Sequence, residues 1–470
     1  MGKPKKVVII GGGMTGLACA YFLREKSRAI GWPTDCTVIE ASSRWGGKIR
    51  TERIGDFIIE GGPDSFITQK PQALDLCKTL GLADQLIQTH PVEKTIYTLT
   101  RGKLVPIPTG LLVPDRLTPF LLSPILSMAG KLRMGMDLFI PRLGKMFQQD
   151  ESIASFVRRR LGEEAVHQIA EPILAGIYAG DVEKLSIAAT FPQLRAMEET
   201  HGSLIWGILM QRWDAARSKT PKSDWTLFVK PRGGLSSIIE GLMRRLTDVT
   251  LRADTEVQAI DPDSTGGYQV KTGEGIVHAD VVVATVNTHA VAKWVEGWDA
   301  PLAEMLRGIT YVSTASVSLG FKKSDVAHPL NGFGFVVPRG EGRKIMAATW
   351  SSTKFPGCAP QGHVLIRAFL GGAHREEQVA QADEVLLGDV REALRDMMGI
   401  HASPVVTHVA RWVKANPQYH VGHLARVARI EQQAANHPGI FLTGAPYRGV
   451  GLPDCIRQGE ETADKILQLR

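Results

Sequence analysis

The residues best arranged for chemistry lie close to the start of the chain. Gly11-Gly12-Gly13-Met14-Thr15-Gly16 follows the apolar run Val7 to Ile10, and Glu40 closes Thr37-Val38-Ile39. Glycines at this spacing allow a tight turn, close backbone approach to a pyrophosphate, and close packing of a helix on a strand. The unpaired N–H groups at the start of that helix then favour the phosphates. Glu40 sits where a carboxylate accepts hydrogen bonds from ribose hydroxyls. Together these residues predict a bound dinucleotide. Gly-x-Gly-x-x-Gly alone is weak evidence, and its context between strand and helix is what gives it meaning.

NAD and FAD share this grip on ADP, and the segments that follow favour FAD. Arg44-Trp45-Gly46-Gly47-Lys48 places a guanidinium and two flexible backbones near the pyrophosphate. Glu60-Gly61-Gly62-Pro63-Asp64-Ser65 adds a second glycine turn, placed to pass the ribityl chain and flavin ring. Near the end, Leu442-Thr443-Gly444-Ala445 closes a strand and Gly449-Val450-Gly451-Leu452-Pro453 leads into a helix from about Asp454. Proline suits a first helical turn, and the positive end of that helix would face the flavin N1–C2 carbonyl.

The elements that position these residues follow from periodicity. Residues 6–41 read as strand, turn, helix and strand, with Val7 to Ile10 a strand buried on both faces. Residues 66–115 alternate short helices and strands. Residues 117–146 and 151–210 read as helical, the first stretch carrying Lys131, Arg133, Arg142 and Lys145, and Arg212 to Asp224 as loop. A helix to Leu246 opens after Pro231-Arg232-Gly233-Gly234. Strands follow near Thr255–Ile260 and Asp280–Ala284, antiparallel strands over 310–372, and a helix near Glu384–Met397.

The chain of 470 residues, 44% hydrophobic and 22% charged, has the composition of a globular protein of two or three substructures. Its formal charge of +7 suits acidic substrates or an anionic membrane face; no nucleic-acid-binding motif is present. The five cysteines, Cys19, Cys36, Cys77, Cys358 and Cys455, are scattered, with no zinc spacing, so no metal is expected and reduced structural thiols are. The apolar run after the basic start is too short for an export signal, and no stretch is long enough to span a bilayer. A cytoplasmic protein, at most peripherally attached to membrane, is expected.

Over essentially its whole length the sequence resembles the porphyrinogen oxidases of haem biosynthesis, within the flavin amine oxidase superfamily, and among them the soluble coproporphyrinogen III oxidase type of Gram-positive bacteria. The matching residues are Gly11 to Leu17, Gly46 to Ile49, Gly62 to Phe66, and Glu171-Pro172 through Gly176-Ile177-Tyr178-Ala179-Gly180-Asp181. Pro417-Gln418-Tyr419, Gly422-His423 and Gly449 to Cys455 complete the set. Gly176 to Asp181 discriminates best, because generic amine oxidases lack it.

The resemblance implies α/β and α+β architecture: a Rossmann-like FAD-binding domain of the amine oxidase type, a mixed-sheet substrate domain and a helical subdomain. The expected division is 1–65, 226–300 and 408–470 for FAD, 66–116 and 301–407 for substrate, and 117–225 for the helical part. FAD would be held non-covalently by Gly11, Gly12, Gly13, Met14, Thr15, Gly16, Glu40, Ala41, Arg44, Gly47 and Lys48 at its ADP half. Gly62, Pro63, Asp64 and Ser65 would run beside the ribityl chain and ring, Val257 would meet adenine, and Trp412, Val450, Gly451 and Leu452 would line the flavin. Trp412 reads equally as core. Lys70 is the expected cation for a substrate propionate, though a solvated lysine reads equally well, and Ile177 and Phe369 are the expected apolar walls.

The implied reaction is six-electron oxidation of coproporphyrinogen III to coproporphyrin III, with molecular oxygen as acceptor and hydrogen peroxide as product. Three two-electron steps at flavin N5, linked by imine–enamine rearrangement, would need no catalytic side-chain acid or base. Protoporphyrinogen IX is the alternative substrate; an amine or polyamine oxidase and a non-catalytic flavin or porphyrin carrier are more distant readings. Residues 117–146 resemble the part that docks to membranes in relatives, and also read as a core helical unit with a basic solvent face. The next haem-pathway enzyme is a further candidate partner.

Overall fold

In the computed structural model the described residues are 4–32, 34–91, 94–108, 117–141, 149–217 and 224–469. The apolar run at the start forms the strand Lys5–Ile10, the middle of a five-stranded parallel sheet. It pairs with Thr34–Ile39 on one side and Val281–Ala284 on the other; Thr250–Arg252 and Ile440–Leu442 complete the edges. Alternation divides its side chains between two cores. Val7 and Ile9 pack with the helices Met14–Ala29 and Leu452–Leu467, while Val8 and Ile10 meet Val257, Ile260 and Val270 of an antiparallel three-stranded layer. Burial on both faces is what a continuous apolar run requires.

A second sheet has seven strands, in the order Val406–Pro417, Tyr311–Lys322, His363–Gly371, Ala347–Trp350, Gly334–Val336, Ile96–Thr100 and Lys103–Pro106. The antiparallel strands expected over 310–372 are present, but the sheet also recruits Ile96–Thr100, which pairs parallel with Gly334–Val336. Ala315, Val317, Leu319, Ile366, Ala368 and Leu370 face one way and pack with Leu386, Val390 and Leu394 of the helix Asp383–Met398. The register therefore turns Thr314, Ser316, Arg367, Phe369, Ala410 and Trp412 to the other face. A helical unit around Phe156, Val157, Leu161, Val166 and Leu204 has its own core.

Packing places some segments differently from the sequence expectation. Phe66, the helix Gln72–Thr79 and Leu86 join the core of the parallel sheet, and Val406–Pro417 is an edge strand of the seven-stranded one. The stretch read as loop from Arg212 begins helical, since Leu204–Arg217 is one helix, continued from the apolar run Leu204 to Met210. Residues 218–223 and the expected basic residues Arg142 and Lys145 lie outside the described residues, as does Met146. Among the described residues no helix is long and apolar enough to cross a membrane.

Candidate functional site

The phosphate end is built by the turn after the first strand. Gly11 N–H donates to the Ile39 carbonyl at 2.8 Å, and Gly12 N–H donates to Glu40 Oε2 at 2.7 Å. Glu40 Oε1 accepts from Ser42 N–H and Oγ–H at 2.9 and 2.8 Å, which fixes the carboxylate at the strand end beside the exposed Ala41. The helix Met14–Ala29 starts after extended Gly13 with neither a side-chain cap nor an acidic residue in its first turn, so the positive end at Met14, Thr15 and Gly16 is available to an anion. A Cβ on Gly16 would stand 2.0 Å from the Gly11 carbonyl oxygen, so only glycine permits this approach of helix to turn. The cradle thus fits a dinucleotide pyrophosphate. Val257 is buried nearby, with its carbonyl accepting the Trp294 indole N–H at 3.0 Å.

Two basic residues expected at the ADP half have other partners. Arg44 donates to the carbonyls of Trp45 (3.1 Å), Ile49 (2.7 Å) and Gly47, so its guanidinium clips its own loop together. That loop lies against the phosphate turn: Gly46 pairs with Gly13, and its N–H donates to the Gly12 carbonyl at 2.8 Å. Gly47 and Lys48 follow. Lys48 points away to the Ala415 carbonyl of the second sheet's edge strand, and burial pushes its ammonium down to about 8.

The second glycine turn joins the two sheets. The Gly61 carbonyl accepts from Trp412 Nε1–H at 2.8 Å and Arg367 Nη2–H at 2.9 Å, with Ser316 Oγ at 3.4 Å. Trp412 is therefore bound to the turn through its indole as well as packed against it. Gly62 passes so close to the preceding loop that a Cβ would stand 1.8 Å from the Lys48 carbonyl oxygen. After Pro63, Asp64 accepts from Lys354 Nζ at 2.9 Å and Ser65 Oγ at 2.6 Å. Burial alone would push this carboxyl up; Lys354, Ser65 and Arg367 together hold it well below the usual carboxylate range. Beneath the turn Glu60 and Lys230 form a buried pair at 2.9 Å, and Glu60 also accepts from Leu235 N–H and Thr51 Oγ.

At the opposite end, Gly449, Val450 and Gly451 lead into the helix Leu452–Leu467, which has Pro453 in its first turn and no side-chain cap. Tyr419 sets this approach: its hydroxyl accepts from Gly449 N–H at 2.8 Å and donates to the Ala445 carbonyl. The Gly176–Asp181 stretch abuts the same framework. Gln418 Nε2–H donates to the Tyr178 carbonyl at 3.1 Å, Ser186 N–H to the Tyr419 carbonyl at 2.8 Å, and Ala373 N–H to the Ala179 carbonyl at 2.8 Å. The two motifs are one structural node.

The expected substrate residues occupy separate elements. Lys70 Nζ lies 2.7 Å from both oxygens of Asp454 in the first turn of the last helix, an ion pair whose lysine stays exposed to solvent. Phe369 is half-buried on the sheet face beside Arg367, whose guanidinium lies 4.8 Å from its ring centroid. Ile177 is 57% exposed on the helix Glu171–Tyr178. Arg367, Lys354 and Lys230 were not among the residues expected here. The available signal was the alternation of Arg367 with Phe369 along one strand. Among the described residues no cluster of His, Cys, Asp and Glu is arranged to hold a metal.

Comparison with known proteins agrees with this geometry. The profile of the family described as flavin containing amine oxidoreductase matches residues 14–467. The chain is 36% identical over 467 residues to coproporphyrinogen III oxidase of Bacillus subtilis, covering 98% of each. It is 35% identical to the protein of the same name from Staphylococcus aureus, covering 98% of this chain and 99% of the relative. A crystal structure from Exiguobacterium, of a protein provisionally assigned as a protoporphyrinogen oxidase, superposes with a TM-score of 0.88 at 33% identity over the whole of both chains. The chain belongs to the flavin-containing amine oxidoreductase family. It is an FAD-dependent oxidoreductase.

Proposed function

We propose that this enzyme oxidises coproporphyrinogen III to coproporphyrin III in haem biosynthesis, passing six electrons in three pairs to oxygen and releasing three molecules of hydrogen peroxide. The observation that carries the reading is the full-length likeness to two proteins that bear this activity in their name. Bound FAD supplies the two-electron acceptor. The chain's own residues supply position and charge. The uncapped helix at Met14 holds the pyrophosphate, and the Gly61–Ser65 turn, fastened by Trp412 and Arg367, holds the rest of the cofactor.

Lys70 would meet a substrate propionate by sharing its ammonium between that carboxylate and Asp454, while Phe369 and Ile177 offer apolar surface to the macrocycle. No side-chain acid or base is required, because the electron-rich porphyrinogen donates hydride without one. Exposed Leu122, Leu132 and Phe139 in the helical unit support peripheral contact of a cytoplasmic enzyme with a membrane surface. Porphyrin fluorescence followed against time with coproporphyrinogen, protoporphyrinogen and primary amines tests the reading. Coproporphyrinogen is expected to give the highest kcat/KM; a preference for protoporphyrinogen or amines would reassign the substrate.

A further inference from the structure

Three cations and two carboxylates surround the Gly61–Ser65 turn; Lys230, Arg367 and Glu60 are buried, and Lys354 and Asp64 are partly buried. Lys230 is matched by Glu60 and Lys354 by Asp64, each at 2.9 Å. Arg367 is the cation with no direct ion pair, feeling Asp64 and Glu60 only at longer range. It is 5% exposed, and among the described residues no carboxylate lies within ion-pairing distance of it. Its Nη2 serves two neutral acceptors, the Gly61 carbonyl at 2.9 Å and Ser316 Oγ at 3.0 Å, and its Nε–H is buried without a partner.

Such a group is costly. A buried charge without a counter-ion is normally neutralised or paired, and a buried orphan N–H calls for an explanation. Holding the Gly61 carbonyl does not supply one, because Trp412 already donates to that oxygen and a neutral donor would serve as well. The register puts Arg367 on the sheet face turned to the flavin-side turn, in line with Phe369 and across from Ser318. One positive charge at the turn is therefore left without a directly paired anion.

We infer that Arg367 is the counter-charge for the negative charge FAD acquires on two-electron reduction, making it an electrostatic residue of the redox step as well as a clamp on the turn. Two electrons and one proton, delivered together as hydride, leave the cofactor one unit more negative. An unpaired buried cation favours that state over the oxidised one. The inference rests on the assignment of FAD and not on the identity of the substrate.

Redox potentiometry of the FAD-loaded enzyme, with dyes and without any porphyrinogen, tests it. Arg367→Met is expected to lower the two-electron midpoint potential by about 30 mV or more, equivalent to a tenfold loss in preference for the reduced form. Its affinity for sulfite, which adds to oxidised flavin and leaves a negative charge on the ring, is expected to fall in parallel. Arg367→Lys should recover most of both effects. Asp64→Asn removes the partner of Lys354 and should move the potential the other way, upward, which keeps the test decisive if Arg367→Met does not retain FAD. An unchanged potential in Arg367→Met, or an unchanged or lowered one in Asp64→Asn, would overturn the inference and leave Arg367 a clamp. Failure to oxidise coproporphyrinogen would bear on the proposed substrate alone.

Discussion

The contact between Gly62 and the Lys48 carbonyl ties the phosphate loop to the flavin-side turn, and Gly62→Ala tests it. A Cβ there would lie 1.8 Å from that oxygen and 3.0 Å from its carbon. Real Cβ atoms stay beyond 3.0 Å of such neighbours, so the two backbones must part by about 1.2 Å. Neither yields freely: the Gly61 carbonyl is held by Trp412 and Arg367, and Gly46 just before Lys48 is bonded to Gly12. Overpacking against fixed backbone costs about 2–3 kcal/mol. Differential scanning calorimetry should show Tm lower by about 2–3 °C. If the strain falls on the cofactor-bound state, FAD affinity drops roughly 30- to 160-fold, read by titrating apoenzyme and following flavin fluorescence. Gly388→Ala serves as the control: it lies in the helix Asp383–Met398 with open space around its Cβ and should stabilise by about 0.5–1 kcal/mol. Wild-type Tm and FAD affinity in Gly62→Ala would refute the claim that this contact fixes the turn.

Lys230→Met should cost about 3–5 kcal/mol in urea unfolding, because it strands Glu60 in the core; adding Glu60→Gln should recover much of the loss. His423 is fully buried, stacked on Tyr419, with Nε2–H donating to the Tyr447 carbonyl and Nδ1 unpartnered. Burial pushes it down to about 4 from 6.5, so between those values the unfolded chain takes up a proton that the folded chain refuses. Stability is therefore full above pH 6.5 and falls by about 3 kcal/mol as pH drops to 4. Unfolding midpoints of wild type and His423→Gln over that range check this, and equal slopes would contradict it. Lys70→Glu faces Asp454 with a second carboxylate and should raise KM for a four-propionate porphyrinogen about tenfold with FAD retained. An unchanged KM would remove Lys70 from substrate binding.

Features encoded within a few neighbouring residues were legible in the sequence. Val7 to Ile10, the turn to Gly16 and Glu40 could be read because strand, turn and helix succeed one another directly, and the structure puts Glu40 on the Gly12 amide. The helix after Gly451 was legible from Pro453, and the seven-stranded sheet in part from β-rich runs. Charge pairing was not. Lys230 meets Glu60 across 170 positions, Lys354 meets Asp64 across 290, and Arg367 reaches Gly61 across 306, so nothing local marks them as neighbours. Arg44 read as a phosphate ligand because a guanidinium beside glycines suits an anion, whereas loop carbonyls within its reach take its donors. Lys70 showed no sign of its partner, which lies in the last helix.

Removal of hydride from a porphyrinogen by FAD bound to this chain can be watched directly. The most direct measurement is an anaerobic titration of the oxidised holoenzyme with coproporphyrinogen III, following flavin absorbance and porphyrin formation together. Three equivalents of FAD should bleach for each coproporphyrin formed, with colour restored by oxygen. Flavin that stays oxidised while coproporphyrinogen is present in excess would contradict hydride removal by the FAD.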